Sequence, residues 1–211
     1  MATEQENAEP IGQQNTKANL TRLLNDLAEH PEWIEEVTKQ VEEAFSEDRA
    51  IMIIDMSGYT RSTQSGRLIP FLLMVNQMRQ LAEPVIEEHG GLLVRAEYDN
   101  LTCIFDEVEA ALRSSFEISS RLEAANVILP SDRELYASTG IGYGTILNVE
   151  NEIIYGNEVN LTSKLGEDVA RSGEILLTDS AHERVKDQAR EFKCQSINVS
   201  GVVIDYHVLI H

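Results

Sequence analysis

Ile51-Met52-Ile53-Ile54-Asp55-Met56-Ser57-Gly58-Tyr59-Thr60 is the stretch on which the reading of this chain turns. Four apolar residues, three of them β-branched, predict a buried strand. The strand delivers one carboxylate, Asp55, and then breaks into a small-residue turn at Ser57-Gly58. A carboxylate at a strand end, beside a turn of free backbone amides, can serve a metal ion and a phosphate together. Taken alone, Asp55 reads more readily as a residue that merely caps its own turn.

Working outward, residues 50–105 give the pattern its sense. A polar, glycine-containing loop, Arg61 to Arg67, leads to a helix of about Leu68 to His89 with Phe71, Leu72, Val75, Met78, Leu81, Val85 and Ile86 at helical spacing. Pro84 within it predicts a kink or early fraying, and Gly90-Gly91 predicts its left-handed cap. Two strand-like runs follow, Leu92 to Glu97 and Leu101 to Phe105, separated by Tyr98-Asp99-Asn100. They form a hairpin with a second carboxylate, Asp99, at its tip.

Further along, a helix is expected over about Val108 to Ala125. A strand over Tyr136 to Leu147 then carries Gly140-Ile141-Gly142-Tyr143-Gly144. No helix opens behind these glycines, so they do not form a dinucleotide fingerprint; in a strand they mark close approach by another backbone. Ile153-Ile154-Tyr155-Gly156 is a short strand and turn, with Asn157 read as the cap of a helix from Glu158 to Ala170. That helix presents Asn160 and Lys164 on one face. A strand at Glu174 to Thr178, a short helix and a closing hairpin complete the chain. The order β-α-β-β-α-β from Ala50 is that of a ferredoxin-like α+β sandwich, an antiparallel sheet covered by helices with C-terminal α/β additions. In that topology the first strand neighbours the hairpin, so Asp55 and Asp99 can converge.

At the other end, residues 1–16 are polar and expected to be disordered. Residues 17–48 predict two amphipathic helices, striped by Leu20, Leu23, Leu24 and Leu27 and by Trp33, Ile34, Val37, Val41 and Phe45, with a charged linker at Ser46-Glu47-Asp48-Arg49. Two helices lack the area for a core of their own, so they must dock on the main domain, 49–211, or on a partner chain. The 211 residues carry a formal charge of −19, which disfavours nucleic acid and anionic membranes as partners. No apolar run reaches transmembrane length and no secretion signal is evident, so a cytoplasmic setting is expected, with Cys103 and Cys194 as reduced, buried thiols.

From about Ala50 to Leu209 these residues resemble the class III nucleotidyl cyclases, the adenylate and guanylate cyclase catalytic domain, in its bacterial branch. The landmarks are Ile54 to Thr60, Gly90-Gly91 before Val94-Arg95-Ala96-Glu97-Tyr98-Asp99, the Gly140 to Gly144 strand, and Tyr155-Gly156-Asn157-Glu158-Val159-Asn160 through Lys164-Leu165. The resemblance implies a homodimer with shared active sites. In it a nucleoside triphosphate, ATP by family default, is cyclised to a 3′,5′-cyclic nucleotide with loss of pyrophosphate, for intracellular signalling. Two divalent metal ions, Mg²⁺ or Mn²⁺, would be held by Asp55 and Asp99, and the amides of Ser57, Gly58, Tyr59 and Thr60 would cradle the phosphates. Arg95, Asn160 and Lys164 would come from the second chain. The sequence departs from the family at Lys164, where an arginine is usual, at Ser200, where a lysine is usual, and at the base-reading pair, which falls on Arg95 and Ile153. Arg95 has donors and no acceptor, so it suits a base carbonyl such as those of guanine or a pyrimidine. The lost phosphate contacts leave a catalytically weak, nucleotide-binding regulatory module as the alternative to an active cyclase.

Overall fold

The computed structural model describes residues 14–57, 68–129, 134–199 and 202–210; Gly58, Tyr59, Thr60 and Ser200 lie outside the described residues. The chain runs α1 (Lys17–Glu29), a 3₁₀ turn (Pro31–Trp33), α2 (Ile34–Phe45), β1 (Ser46–Ser57), α3 (Leu68–Glu88), β2 (Leu92–Glu97), β3 (Asn100–Phe105) and α4 (Val108–Asn126). It continues through β4 (Tyr136–Val149), β5 (Ile153–Tyr155), α5 (Asn157–Ser163), a π-helical segment (Lys164–Val169), β6 (Ile175–Thr178), α6 (Asp179–Val185), β7 (Glu191–Val199) and β8 (Val202–Ile210). The strands form one sheet in the order β2-β3-β1-β4-β6-β8-β7, with β5 paired to β4. Every pairing is antiparallel except β4 with β6. The first four strands stand in the order 2-3-1-4, which is the expected sandwich.

Side-chain alternation along β1 decides which face does what. Ala50, Met52, Ile54 and Met56 join the main core with Phe71, Met78 and Ile86 of α3 and Leu112 and Ile118 of α4. Ile51 and Ile53 face the other way, with Ile104 and Ile146. Asp55 continues that second row. The helix α3 runs through Pro84 to Glu88 instead of ending early: Ala82, Val85 and Ile86 around the proline are fully buried, and their packing offsets one lost backbone bond. It stops at Gly90, whose φ of +75° supplies the left-handed cap.

Ser46-Glu47-Asp48-Arg49 is strand, not linker. β1 pairs with β4 from Ser46↔Leu147 to Ser57↔Tyr136. The charges that suggested a solvated linker are matched across the ladder. Arg49 bonds Glu47 at 2.7 Å and also Asp106, Thr145 donates to Asp48 at 2.6 Å, and Asn148 donates to Glu47 at 2.6 Å. The end of the tail is also anchored, since Asn15 donates to the Asn148 carbonyl and accepts from the Glu150 amide, each at 2.9 Å.

The two N-terminal helices dock on their own domain: Leu23, Val37, Phe45 and Val149 are buried together, with Leu27, Val41, Leu147 and Ile153 around them. Removing the ring of Phe45, 2% exposed, is expected to cost about 3–5 kcal/mol in urea unfolding. A cost below about 1 kcal/mol would mean that the helices are a detachable appendage. Cys103 is buried and free, and its burial pushes the thiol pKa up, whereas Cys194 is exposed, contrary to the expectation of two buried thiols. No helix among the described residues is long and apolar enough to cross a membrane.

Candidate active site

Two cross-strand rows on the second sheet face assemble the acidic site. Asp55 pairs with Asn100 of β3 and Ser138 of β4, and Asn100 pairs in turn with Glu97 of β2. In the next row Ile53 pairs with Thr102 and Gly140, and Thr102 with Arg95. Register partners share a face, so Asp55, Asn100, Glu97 and Arg95 all project to one side of the sheet.

The β2–β3 connection is the two-residue turn Tyr98-Asp99, with Tyr98 at φ +51°, one residue shorter than the separator read from sequence. The Asp99 carbonyl accepts from the Met56 amide at 3.1 Å, which fastens the hairpin tip to the end of β1. The end of β1 and the hairpin tip therefore lie side by side, near enough for the Asp99 charge to act on Asp55. Burial, and then the Asp99 carboxylate, push the Asp55 carboxyl up to about 7, with Glu167 and Asp168 adding in the same direction.

The glycine strand is a track for α5. A Cβ on Gly140 would collide with the Thr162 carbonyl oxygen and lie 2.7 Å from the Gly166 amide nitrogen; one on Gly142 would meet Thr162 Oγ1 and lie 3.0 Å from Glu158 Oε1. One on Gly166 would lie 2.8 Å from the Ile53 carbonyl oxygen. The expected close approach is thus that of α5 and the π segment, which settle onto β1 and β4 beside Asp55. Glu158 and Thr162 point to the sheet, while Asn160 is exposed. Gly156, not Asn157, is the N-cap residue, and the α-helix gives way to π geometry at Lys164. Lys164 forms an ion pair with Asp168 within the π segment. Arg95 lies 3.7 Å from Glu97, both more than half exposed. Ile153, the other position of the base-reading pair, packs against the cluster under the N-terminal helices.

With this geometry in place, the similarities to known proteins are informative. No family model matches the chain. It is 26% identical over 136 residues, 64% of its length, to "Putative adenylate cyclase 3" of Rhizobium meliloti (strain 1021), and 24% identical over 152 residues to the serine/threonine-protein kinase pkn2 of Myxococcus xanthus. It spans 23% and 18% of those longer proteins. Among solved structures, the adenylate/guanylate cyclase/hydrolase from Silicibacter pomeroyi superposes with a TM-score of 0.66 at 26% identity, over 79% of this chain and 98% of that one. The guanylyl cyclase Cya2 superposes with a TM-score of 0.67 at 19% identity, over 78% and 91% of the two chains. The adenylyl cyclase CyaB from P. aeruginosa does so with 0.64 at 18%, over 79% and 96%.

The fold is that of a class III nucleotidyl cyclase domain.

Within this fold, the donor set fits a divalent cation. The Asp99 charge acts on Asp55, and like charges so placed are relieved by a hard cation between them. The buried Oδ1 of Asn100, on the register partner of Asp55, has no hydrogen-bond partner among the described residues, which leaves a neutral oxygen beside the pair. No group of three or more His, Cys, Asp or Glu suited to a metal occurs among the described residues. A two-carboxylate set matches Mg²⁺ or Mn²⁺ that completes its shell with water and substrate phosphate, more than an all-protein cage.

A raised carboxyl pKa has a definite sign in stability. The folded state holds the Asp55 proton more tightly than the unfolded chain, so its contribution is present below about pH 4 and is lost as pH rises toward 7. In EDTA, wild type is expected to lose stability relative to Asp55→Asn between about pH 4 and pH 7, and Mn²⁺ at pH 7.5 to recover the difference. Parallel melting curves for the two proteins across that range would contradict the assignment.

Proposed function

We propose that the chain is the catalytic domain of a nucleotidyl cyclase, acting as a homodimer with two shared sites. The carrying observation is the convergence of Asp55 and Asp99, through the β1 end and the β2–β3 tip, on a face that α5 borders. The ribose 3′-oxygen forms a bond to the α-phosphorus while the bond to the bridging oxygen breaks. Pyrophosphate leaves and the hydroxyl proton passes to solvent. Asp55 and Asp99 would hold two divalent cations. Bound there, the cations supply charge stabilisation to the attacking and leaving oxygens. The amides of Ser57, Gly58, Tyr59 and Thr60 cradle the phosphates. Asn160 of the partner subunit orients the ribose, which suits its exposed position, and Lys164 of the partner subunit sets a positive charge against the phosphate oxygens. Lysine supplies a point charge without the fork of an arginine.

Arg95 with Glu97 presents donors and an acceptor on one strand face, the combination that an adenine edge requires. ATP is therefore the leading substrate. Arg95 acting alone would instead favour the carbonyls of GTP or a pyrimidine triphosphate. A second reading, a nucleotide-binding regulatory domain without turnover, is favoured by the ion pair that occupies Lys164.

The test is incubation of the purified chain with ATP, GTP, CTP and UTP in turn, with Mn²⁺, and mass spectrometry of the products. A cyclic nucleotide from at least one of them, absent with Asp55→Ala, is expected. Triphosphate binding without product from any base would overturn the enzymatic reading in favour of the regulatory one.

A further inference from the structure

Glu158 has no place in the proposed chemistry, yet its side chain lies against two glycines of the track, Gly142 and Gly144. It stands in the first turn of α5, two residues before Asn160, and is half-buried. Its Oε1 accepts from Thr178 Oγ1 at the end of β6 and from the Tyr143 amide of β4 at 3.3 Å. Its main-chain oxygen accepts from Thr162 Oγ1 at 2.7 Å, one turn further along. The same Thr178 hydroxyl accepts from the Ala181 amide at 3.3 Å as the N-cap of α6, so both of its hydrogen-bonding capacities are committed. Gly142 and Gly144 leave the space in which this carboxylate lies: Cβ atoms there would come 3.1 Å from Glu158 Cγ and 3.3 Å from its Cβ.

A half-buried carboxylate held by two neutral donors, with no cation against it among the described residues, is a costly way to fill a groove. What it provides is direction. A side chain fixed to two strands pins the first turn of α5 at a defined height and rotation, and Asn160 and Lys164 take theirs from that turn. The geometry points to Glu158 as a positioning residue: through Thr178 and the Tyr143 amide it sets where α5 presents Asn160 and Lys164 to the site of the partner subunit. The inference rests on the shared-site reading above. The role belongs to the acceptor oxygen and not to the charge, because both donors are neutral.

Mixed dimers separate positioning from general support of the fold. In a dimer of one Asp99→Ala chain and one Asn160→Ala chain, one site is whole. It takes Asp55 and Asp99 from the Asn160→Ala chain, and Asn160 and Lys164 from the Asp99→Ala chain. Glu158→Ala on the Asp99→Ala chain is expected to lower the kcat of that site by about tenfold or more, since small misplacements of positioned groups have effects of that order. On the Asn160→Ala chain, where α5 serves only the dead site, the same substitution is expected to change kcat by less than about twofold. Glu158→Gln, which keeps the acceptor, is expected to retain most of the activity on either chain. Equal loss on both chains, or loss on neither, overturns the proposal, as does Glu158→Gln failing like Glu158→Ala. The parental pair reports on the shared site by itself, so its silence would count against that reading. The homodimers then decide only whether Glu158 positions α5 at all: a loss in Glu158→Ala rescued by Glu158→Gln upholds that part, and no loss refutes it.

Discussion

Asp55→Ala is expected to abolish cyclisation, with kcat/KM falling by about 10³-fold or more, while the protein stays folded. The magnitude follows from charge: stabilisation of the attacking and leaving oxygens by bound cations is worth several kcal/mol, and about 4 kcal/mol is roughly three decades of rate. The folded state is expected to tolerate the change, because the carboxylate is held against its own preference. Burial and Asp99 raise its pKa to about 7, so replacing it relieves a penalty in the metal-free protein. Lost turnover with an equal or higher melting temperature in EDTA is the signature of a site residue. Lost turnover with a collapsed melting curve would instead assign Asp55 to the fold.

Gly140→Val is expected to have the second largest effect, through shape instead of charge. Its added atoms would meet the Thr162 carbonyl oxygen and the Gly166 amide, both backbone, which cannot rotate away. The α5 and π segments must then lift from β4, taking Asn160 and Lys164 with them. A stability loss of about 1–3 kcal/mol, of the size of other overpacked cores, should accompany an activity loss of about 10²-fold from misplacement. Gly144→Ala is the milder comparison: its Cβ would meet only the Glu158 side chain, at 3.3 Å, and it is expected to cost less than Gly140→Val in both readouts. Equal behaviour of the two variants would show that the helix does not depend on close approach.

Much of this was legible in the residues, for identifiable reasons. Asp55 and Asp99 could be brought together on paper because a strand, a helix and a hairpin in that order allow few arrangements. The glycines of β4 announced an approaching backbone, but which one was hidden, since the inward face of Glu158 to Thr162 is polar and looks like a solvated surface. That same polarity concealed Glu158. Its sequence signal, an acid in the first turn of the helix that follows a glycine-alternating strand, has meaning only once the two are seen packed. The charges at 47–49 were misread because their partners, Asp106, Thr145 and Asn148, are far away along the chain. Asn157 has a capping side chain, yet the capping place falls to Gly156 as the chain leaves the β5 turn. The change to π geometry at Lys164 has no local signal; it falls where Gly166 is seated on Ile53 and Gly140.

The central claim is a cyclase whose sites are each built from two chains. It is tested most directly by mixing Asp99→Ala and Asn160→Ala proteins, each inactive as a homodimer. With random exchange, half of the dimers are mixed and each of these holds one whole site, so about a quarter of wild-type cyclic-nucleotide production should return. Mixed dimers demonstrated by differential tagging that make no cyclic nucleotide would contradict the claim.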